Sequence, residues 1–126
     1  MALSSILLDT HVLLWILTSS KKLRTISSLK DYPVWTLSPV SFLEIKFLGE
    51  TGKIDIDFAE LLTALQRDDR FLIDSVGVEE LCRAAFDLVW TRDPFDRLLV
   101  AHSIVRGLPL ATADQVIRKH YASLAI

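Results

Sequence analysis

The chain of 126 residues has few of the residues that interrupt regular structure, with four glycines and four prolines, and it has one cysteine, Cys82. A single cysteine excludes a disulfide framework within the chain and favours a reducing compartment such as the cytoplasm. Few glycines and prolines, together with 51% hydrophobic residues, exclude a disordered or fibrous chain. We expect one globular domain over residues 1–126, with Cys82 as a small buried residue.

An excess of positive charge is also missing. Sixteen acidic residues and fourteen basic residues give a formal net charge of -2, so bulk electrostatics would not attract a nucleic acid. No apolar run approaches the ~20 residues that span a bilayer, and "MALSSILLDT" lacks the basic start and long apolar core of a signal peptide. We expect a soluble cytoplasmic protein without a membrane partner, in which any attraction to a polyanion is local or is carried by a bound cation.

Short apolar runs alternate with longer helical patterns along the chain. The apolar runs, which predict strands, lie at 5–9, 34–38, 70–75, 108–112 and 122–126. Helical patterns lie at 11–19, 21–31, 38–49, 57–68, 78–90, 93–107 and 114–120. Apolar strands that alternate with helices are typical of a parallel sheet covered on both faces. The sequence therefore predicts a three-layer α/β/α fold with a mostly parallel central sheet of about five strands.

Several carboxylates in this pattern have an ordinary structural explanation. Asp93 precedes a proline, which is a typical start for a helix, and Asp96 lies three residues later, where it favourably meets the positive end of that helix. Asp114 can cap the last helix, and Asp9 or Thr10 can cap the first. Taken singly, each of these residues is more readily explained as a cap than as a ligand.

Glu44 does not fit this explanation. It lies within the apolar segment "PVSFLEIKFLG", well past the start of the predicted helix, and almost no face of that segment is polar. A buried carboxylate is costly unless something pairs with it. The pairing group is either an arginine from elsewhere in the chain or a bound cation.

The predicted fold brings the acidic residues together. Asp9 ends one predicted strand, Asp114 follows another, and Ser38 ends the strand that leads to the helix of Glu44. The carboxyl ends of parallel strands meet at one edge of the sheet, so these groups face a common crevice that Asp96 reaches from its helix. Carboxylates crowded in this way repel one another, and a divalent cation removes the conflict. All-oxygen ligands favour Mg²⁺ or Mn²⁺, and no Cys/His pattern with zinc spacing competes.

At this point the chain resembles the PIN-domain ribonucleases, and most of all the VapC-type toxins of bacterial toxin–antitoxin pairs. The segments "LLDTHVLLW", "SPVSFLEIKFLGETGKI" and "RDPFDRLLVAHSIVRGLPLATAD" occur in the order and spacing of that family. The resemblance implies an endoribonuclease that uses one or two Mg²⁺ or Mn²⁺ ions to hydrolyse RNA phosphodiesters. It also implies a homodimer and a small antitoxin partner that blocks the acidic pocket.

The family's acidic positions fall on residues of this chain that carry both catalysis and metal binding: Asp9, Glu44, Asp96 and Asp114. Supporting positions fall on Thr10 and Thr112, while Asp93 is expected to cap the helix that carries Asp96. One departure is Thr91, since the subgroup usually has histidine before "RDPF", so a substrate contact made by that histidine is in doubt here.

Basic and aromatic residues provide candidates for substrate contacts. Arg92 and Arg97 lie beside the acidic residues and are candidate phosphate ligands, although ordinary surface ion pairs explain them as well. Four aromatic residues could stack on bases, but at least three are expected to be core or dimer contacts: Trp15, Trp35, Phe42 and Phe95.

Three alternatives remain open from the residues themselves. A phosphoacceptor receiver domain also places acids around Mg²⁺, but it has paired acids after its first strand and a lysine after its last, where this chain has one acid and Asp114. A catalytically weak PIN-like interaction module would bind an antitoxin or other partner and cleave nothing. A DNA-directed nuclease is the third alternative, because the chemistry of the pocket does not read the sugar.

Overall fold

The computed structural model describes residues 5–121, which form a four-stranded parallel sheet. The strands are β1 (Ser5–Leu8), β2 (Val34–Leu37), β3 (Phe71–Ile73) and β4 (Leu110–Ala111), in the spatial order β3-β2-β1-β4. The prediction of an α/β fold around a parallel sheet is confirmed. The count of about five strands is one too high for the described residues, and the strand predicted at 122–126 lies outside them.

Six α-helices accompany the strands within residues 5–121. Their bounds are α1 (Thr10–Leu17), α2 (Val40–Glu50), α3 (Phe58–Gln66), α4 (Val78–Ala85), α5 (Pro94–Arg106) and α6 (Gln115–His120). None of these helices is both long and apolar enough to cross a membrane. Gly107 ends α5 with a φ of 64°, the left-handed conformation that glycine adopts without steric cost.

Two helix predictions and the predicted burial of Cys82 need correction. The helix predicted over 21–31 is two short 3-10 helices, Lys21–Thr25 and Ser27–Asp31, separated by Ile26 with φ -120° and ψ 61°. Serine, threonine and isoleucine favour the α-helix weakly, which accounts for the break. The helix predicted over 78–90 ends at Ala85. Cys82 is exposed rather than buried, because the buried face of α4 carries Leu81 and Ala85.

Alternate residues of β1 divide the core into two layers. Ile6 and Leu8 belong to a large apolar cluster with residues of α1, β2, α2 and α3. Leu7 instead packs with Val100 of α5 and Ile117 of α6. Side chains that alternate along a strand point to opposite faces of a sheet. Helices therefore cover both faces, as the three-layer prediction required.

The chain changes direction between β1 and β4. It proceeds from β1 outward to β2 and β3, and then returns to place β4 on the other side of β1. Leu8 is in register with Ala111, and the Asp9 amide donates a hydrogen bond to the Ala111 carbonyl at 3.0 Å. A topological switch point of this kind opens a crevice at the carboxyl ends of the strands. The residues that directly follow β1 and β4 meet there.

Candidate metal centre at the carboxyl edge of the sheet

Asp9 stands at the start of α1 but does not cap it. It occupies the N-cap position, yet its side chain accepts no hydrogen bond from the helix amides. The Thr112 hydroxyl, which follows β4, donates to Asp9 Oδ2 instead. Asp9 is 3% exposed and Thr112 is fully buried. The expected cap is therefore absent, and the carboxylate is held at the crevice by the neighbouring strand.

Glu44 is buried on α2 without a counter-charge. It is 6% exposed, and its Oε1 has no hydrogen-bond partner among the described residues. The arginine that could have paired with it is not found, since no salt bridge within residues 5–121 involves Glu44. Beside it, the Thr10 hydroxyl donates to Ser41 Oγ at 2.8 Å, which links α1 to α2. Oε1 of Glu44 is therefore a buried carboxylate oxygen that accepts no hydrogen bond from the described residues.

The two aspartates of "DPFD" have different environments. Asp93 Oδ1 accepts the amides of Phe95 at 2.8 Å and Asp96 at 3.3 Å, so Asp93 caps α5 as expected. The Asp96 carboxylate lies in the first turn of α5 and forms no salt bridge with any described residue. The cap fixes the start of the helix, and Asp96 is left to face the other carboxylates.

Asp114 combines a structural contact with a place beside the crevice. Its Oδ1 accepts the amides of Val116 at 2.9 Å and Ile117 at 3.1 Å and so caps α6. The Asp114 amide donates to Thr112 Oγ1 at 3.0 Å. Thr112 thus connects Asp114 to Asp9. One oxygen of Asp114 is committed to the cap, which leaves Oδ2 for any further contact.

Burial and mutual repulsion disfavour negative charge in this site. Burial, together with repulsion from four neighbouring carboxylates, raises the pKa of Asp96 to about 7. The repulsion decreases in the order Asp93, Asp114, Asp9 and Glu44. Burial also raises the pKa of Asp9, although the hydrogen bond from Thr112 partly offsets it. The pKa of Glu44 is raised by burial as well, the neighbouring Thr10 side chain partly offsets it, and repulsion from Asp9 adds to it. A nearby positive charge would relieve all three groups.

The donor set suits a hard divalent cation. Asp9, Glu44 and Asp96 offer carboxylate oxygens, the ligands that Mg²⁺ and Mn²⁺ prefer. Within residues 5–121 no three acidic, histidine or cysteine side chains already converge tightly enough to enclose an ion. The carboxylates thus form an open set, as expected for like charges without a cation between them. The unpartnered Oε1 of buried Glu44 is the feature that fits a ligand role most directly.

The loop that precedes α5 is held by Arg97. Its Nε donates to the Thr91 carbonyl at 2.7 Å, and the Thr91 hydroxyl accepts the Asp93 amide at 3.2 Å. Thr91, where the family resemblance leads one to expect histidine, therefore supports the cap residue of α5. Arg97 is half-buried in this contact, whereas Arg92 is exposed. Of the two arginines predicted to meet the substrate, Arg92 is the more accessible.

Two features of the region were not anticipated from the sequence. Ser41 joins α1 to α2 through Thr10, and an ordinary serine in a helix gives no signal of that contact. Asp74, which follows β3, accepts hydrogen bonds from His102 Nε2 at 2.9 Å and Arg106 Nε at 2.8 Å. Its position near the carboxyl end of the strand predicted at 70–75 was a signal that could have drawn attention to it. Asp74 is already paired, so it does not join the unpaired acids.

Comparisons with known proteins agree with this geometry. The PIN domain family model matches residues 6–122. Ribonuclease VapC22 of Mycobacterium tuberculosis is 26% identical over 123 residues, which cover 94% of this chain and 93% of that protein.

Solved structures share the fold. A toxin–antitoxin complex from Klebsiella pneumoniae contains a chain with a TM-score of 0.68 and 15% identity, with 96% of each chain covered. The VapBC2 complex of Rickettsia felis, bound to a DNA fragment from its promoter, gives a TM-score of 0.64 and 14% identity, with 95% of each chain covered. The family match leaves no place for the receiver-domain alternative. The chain belongs to the PIN-domain family.

Proposed function

We propose that this PIN-domain protein is a metal-dependent endoribonuclease and the toxin of a toxin–antitoxin pair. The main observation in favour of a metal site is the buried Glu44 Oε1, which has no hydrogen-bond partner among the described residues. Glu44 is also close enough to Asp9 for their charges to repel. The ribonuclease activity is supported by the similarity to Ribonuclease VapC22. The toxin role is supported by the same relative and by the toxin–antitoxin complexes that share the fold.

Asp9, Glu44 and Asp96 would hold one or two Mg²⁺ or Mn²⁺ ions. Asp114 would contribute its Oδ2 directly or through water, because its Oδ1 accepts the amides of α6. Such an ion, when bound, lowers the pKa of the attacking water and stabilises charge on the phosphate oxygens. It also allows an anionic substrate to approach a group of carboxylates that would otherwise repel it.

The residues of the chain then orient the reaction. Thr112 fixes the Asp9 carboxylate through its hydroxyl, and Asp93 fixes the first turn of α5 and with it Asp96. Water attacks phosphorus in line with the leaving 3′-oxygen, the P–O3′ bond breaks, and the products carry a 5′-phosphate and a 3′-hydroxyl. This route does not use the 2′-hydroxyl, so a preference for RNA comes from contacts outside the acidic pocket. Arg92 is the candidate for a phosphate contact.

The direct test is cleavage of single-stranded RNA and single-stranded DNA by the purified protein with Mg²⁺, with Mn²⁺ and with EDTA. Asp96→Asn removes a proposed ligand, and Asp93→Asn is its matched control because asparagine also caps helices well. We expect metal-dependent cleavage of RNA that disappears in Asp96→Asn and persists in Asp93→Asn. Cleavage of DNA alone would favour the DNA-directed nuclease. Metal binding without cleavage of either would favour the interaction module.

A groove beside the site suits the antitoxin. It has a volume of about 920 Å³, and its walls include apolar residues of α1, α3 and the segment before α3, among them Leu14, Trp15, Ile54, Ile56 and Ala64. His11 also lines it and lies two residues after Asp9, so the groove leads to the acidic crevice. We propose that an apolar segment of the antitoxin occupies the groove and covers the crevice.

Ala59 offers a test of this partner site. It is exposed on α3 and lines the groove, so Ala59→Arg fills the groove without disturbing the core. We expect the variant to need at least about tenfold more of the antitoxin for inhibition of RNA cleavage, since it loses apolar contacts there. Thr51→Arg, an exposed position outside the groove, is the control. Equal inhibition of both variants would place the antitoxin elsewhere.

The proposed homodimer has an apolar surface available to it. Val78, Phe86 and Val89 are 76%, 78% and 73% exposed, all on or next to α4. Exposed apolar patches of this kind mark interaction sites. We propose a dimer in the cytoplasm that buries this surface, and we expect Phe86→Glu to convert dimer to monomer in sedimentation or light scattering. A dimer of unchanged stability would assign the interface to another surface.

A further inference from the structure

Trp90 and His120 form a stacked aromatic pair. Their ring centroids are 5.3 Å apart and their planes differ by 13°. Trp90 is half-buried, whereas His120 is exposed at the end of α6. A stacked pair of which one ring is exposed presents a flat π surface to the solvent. Histidine and tryptophan rings are both used in proteins as surfaces on which nucleic-acid bases stack.

The pair has a rigid base. Trp90 packs on the smaller core cluster formed by Leu7, Val100, Leu110 and Ile117. Beside it, Tyr121 exchanges a 2.7 Å hydrogen bond with Ser103 of α5. The ring of Trp90 is therefore fixed before any ligand arrives, so binding a base on the pair orders few side chains.

Two short segments connect the pair to residues of the acidic crevice. Trp90 lies three residues before Asp93, the cap of the helix that carries Asp96. His120 ends the six-residue helix that Asp114 caps, which is about 9 Å long at 1.5 Å per residue. A nucleotide held near the crevice thus has neighbours within reach of the Trp90–His120 surface.

Exposed positive charges accompany the pair. Arg92 and Lys119 are both exposed, and neither forms a salt bridge with a residue of the described chain. Three arginines of the β3–α4–α5 side, Arg70, Arg83 and Arg106, are instead paired with Asp68, Glu79 and Asp74. Arg92 and Lys119, two residues after Trp90 and one before His120, are therefore free to contact phosphates beside the pair. A groove or surface that combines aromatic rings with unpaired cations is typical of single-strand binding.

We propose that the Trp90–His120 pair is a stacking platform for a base of single-stranded RNA next to the cleaved phosphate, with Arg92 and Lys119 contacting the backbone. This proposal rests on the ribonuclease function proposed above. It assigns substrate positioning to residues that hold no metal. The platform also supplies a substrate contact outside the acidic pocket. Such contacts are needed for a preference for RNA, because the proposed mechanism does not use the 2′-hydroxyl.

The test compares three substitutions of His120 on a short single-stranded RNA. His120→Ala removes the outer ring, His120→Leu keeps apolar volume without a π face, and His120→Phe restores the stack. Phe58→Ala is the control, because Phe58 is a 55% exposed ring that packs against Phe42 on α2. Cleavage gives KM and kcat, and tryptophan fluorescence of an Asp96→Asn background reports RNA binding without cleavage.

We expect His120→Ala and His120→Leu to raise KM and weaken binding about fivefold or more with little change in kcat, as the loss of one stacking contact does. His120→Phe restores both, and Phe58→Ala changes neither. A plot of log affinity against log salt concentration has a negative slope. Lys119→Gln should make that slope less negative by about 0.7, the value for one phosphate contact on a single strand.

The outcomes separate this proposal from the function on which it rests. If the wild type cleaves RNA and all His120 variants match it in KM and binding, the platform is overturned and the ribonuclease stands. If the wild type cleaves no RNA, the ribonuclease fails. In that case His120-dependent binding of RNA still supports the platform, and the absence of such binding overturns it as well.

Discussion

Asp74 and Glu44 both lie toward the carboxyl edge of the sheet, but only Asp74 is hydrogen-bonded to basic side chains within the described chain. Its Oδ2 accepts hydrogen bonds from buried His102 and from Arg106. Burial alone would raise the pKa of Asp74, but these two partners outweigh it and hold the pKa below its ordinary value. Glu44 has neither partner, and its pKa is raised. The chain thus supplies hydrogen-bond donors to the carboxylate of Asp74 but leaves one carboxylate oxygen of Glu44 without a partner among the described residues.

The difference is the basis for proposing a structural role for Asp74 and a functional role for the unpaired acids. A buried carboxylate is tolerated when hydrogen bonds and counter-charges replace the lost water. At Asp74 the replacement comes from α5, so the group ties the end of β3 to that helix. At Asp9, Glu44 and Asp96 the described chain supplies neutral groups of Thr10 and Thr112 but no cationic side chain. We propose that a cation from solution balances the remaining negative charge.

The largest expected effect comes from Glu44→Gln. Glutamine keeps the shape of the side chain but removes the charge that would hold the ion, so we expect RNA cleavage to fall by about 100-fold or more, the equivalent of several kcal/mol of transition-state stabilisation. Initial rates at saturating Mg²⁺ measure this. Glu50→Gln, at the exposed end of the same helix, is the control and keeps its activity. A Glu44→Gln enzyme with normal rates would remove Glu44 from the ligand set.

A smaller effect is expected on stability when the paired acid is changed. Asp74→Asn weakens two charge-assisted hydrogen bonds of a side chain that is 24% exposed, so we expect unfolding to become easier by about 1 to 3 kcal/mol in urea titrations. Glu79→Gln breaks the pair with Arg83, in which both side chains are almost fully exposed. Surface pairs contribute little, so that control should change by less than about 1 kcal/mol. Equal losses in the two variants would contradict a special role for the Asp74 site.

The two kinds of acid also give opposite dependences on pH. A raised pKa means that the folded protein binds more protons than the unfolded chain, so stability without metal falls as pH rises between the unfolded and folded values. For Asp96 that window runs from about 4 to about 7. Asp74 has a lowered pKa, so its contribution is present above the unfolded value and is lost as pH falls through the folded value.

This prediction is measured by thermal unfolding in EDTA between pH 5 and pH 8. We expect the melting temperature of the wild type to fall across this range more than that of Asp96→Asn, because only the wild type ionises Asp96. Saturating Mg²⁺ at pH 8 should reduce the difference, since the ion favours the charged carboxylates. Identical profiles for the two proteins would contradict the raised pKa of Asp96.

The sequence was informative where residue type and position along a strand or helix agree. Apolar strands followed by acids predicted the parallel sheet and the crevice, and "DP" predicted the cap at Asp93. It did not show that the Asp9 side chain leaves α1 uncapped. That side chain is instead hydrogen-bonded by Thr112, which follows β4 and is more than 100 residues away in the sequence. The sequence also failed for Cys82, where the turn of α4 that faces the core is set by packing against α5.

Contacts between distant residues were the least predictable. His102 and Arg106 lie about 30 residues from Asp74, and His120 lies 30 residues from Trp90. Neither local propensity nor period reports such pairs, since both arise only when α5 and α6 pack on one face of the sheet. The sequence offered four aromatic residues as possible base contacts. One of them, Trp35, is 5% exposed and packs against Phe71 in the core. Trp90, for which we propose a base contact, was not among them.

The most direct test of the unpaired site is the free energy of unfolding of Asp96→Asn and the wild type at pH 8, in EDTA and in saturating Mg²⁺. If the carboxylates repel one another until a cation arrives, Asp96→Asn is more stable than the wild type in EDTA. Mg²⁺ then stabilises the wild type and has little effect on the variant. A variant that is less stable than the wild type in EDTA, or that gains as much from Mg²⁺, would contradict the proposed metal centre.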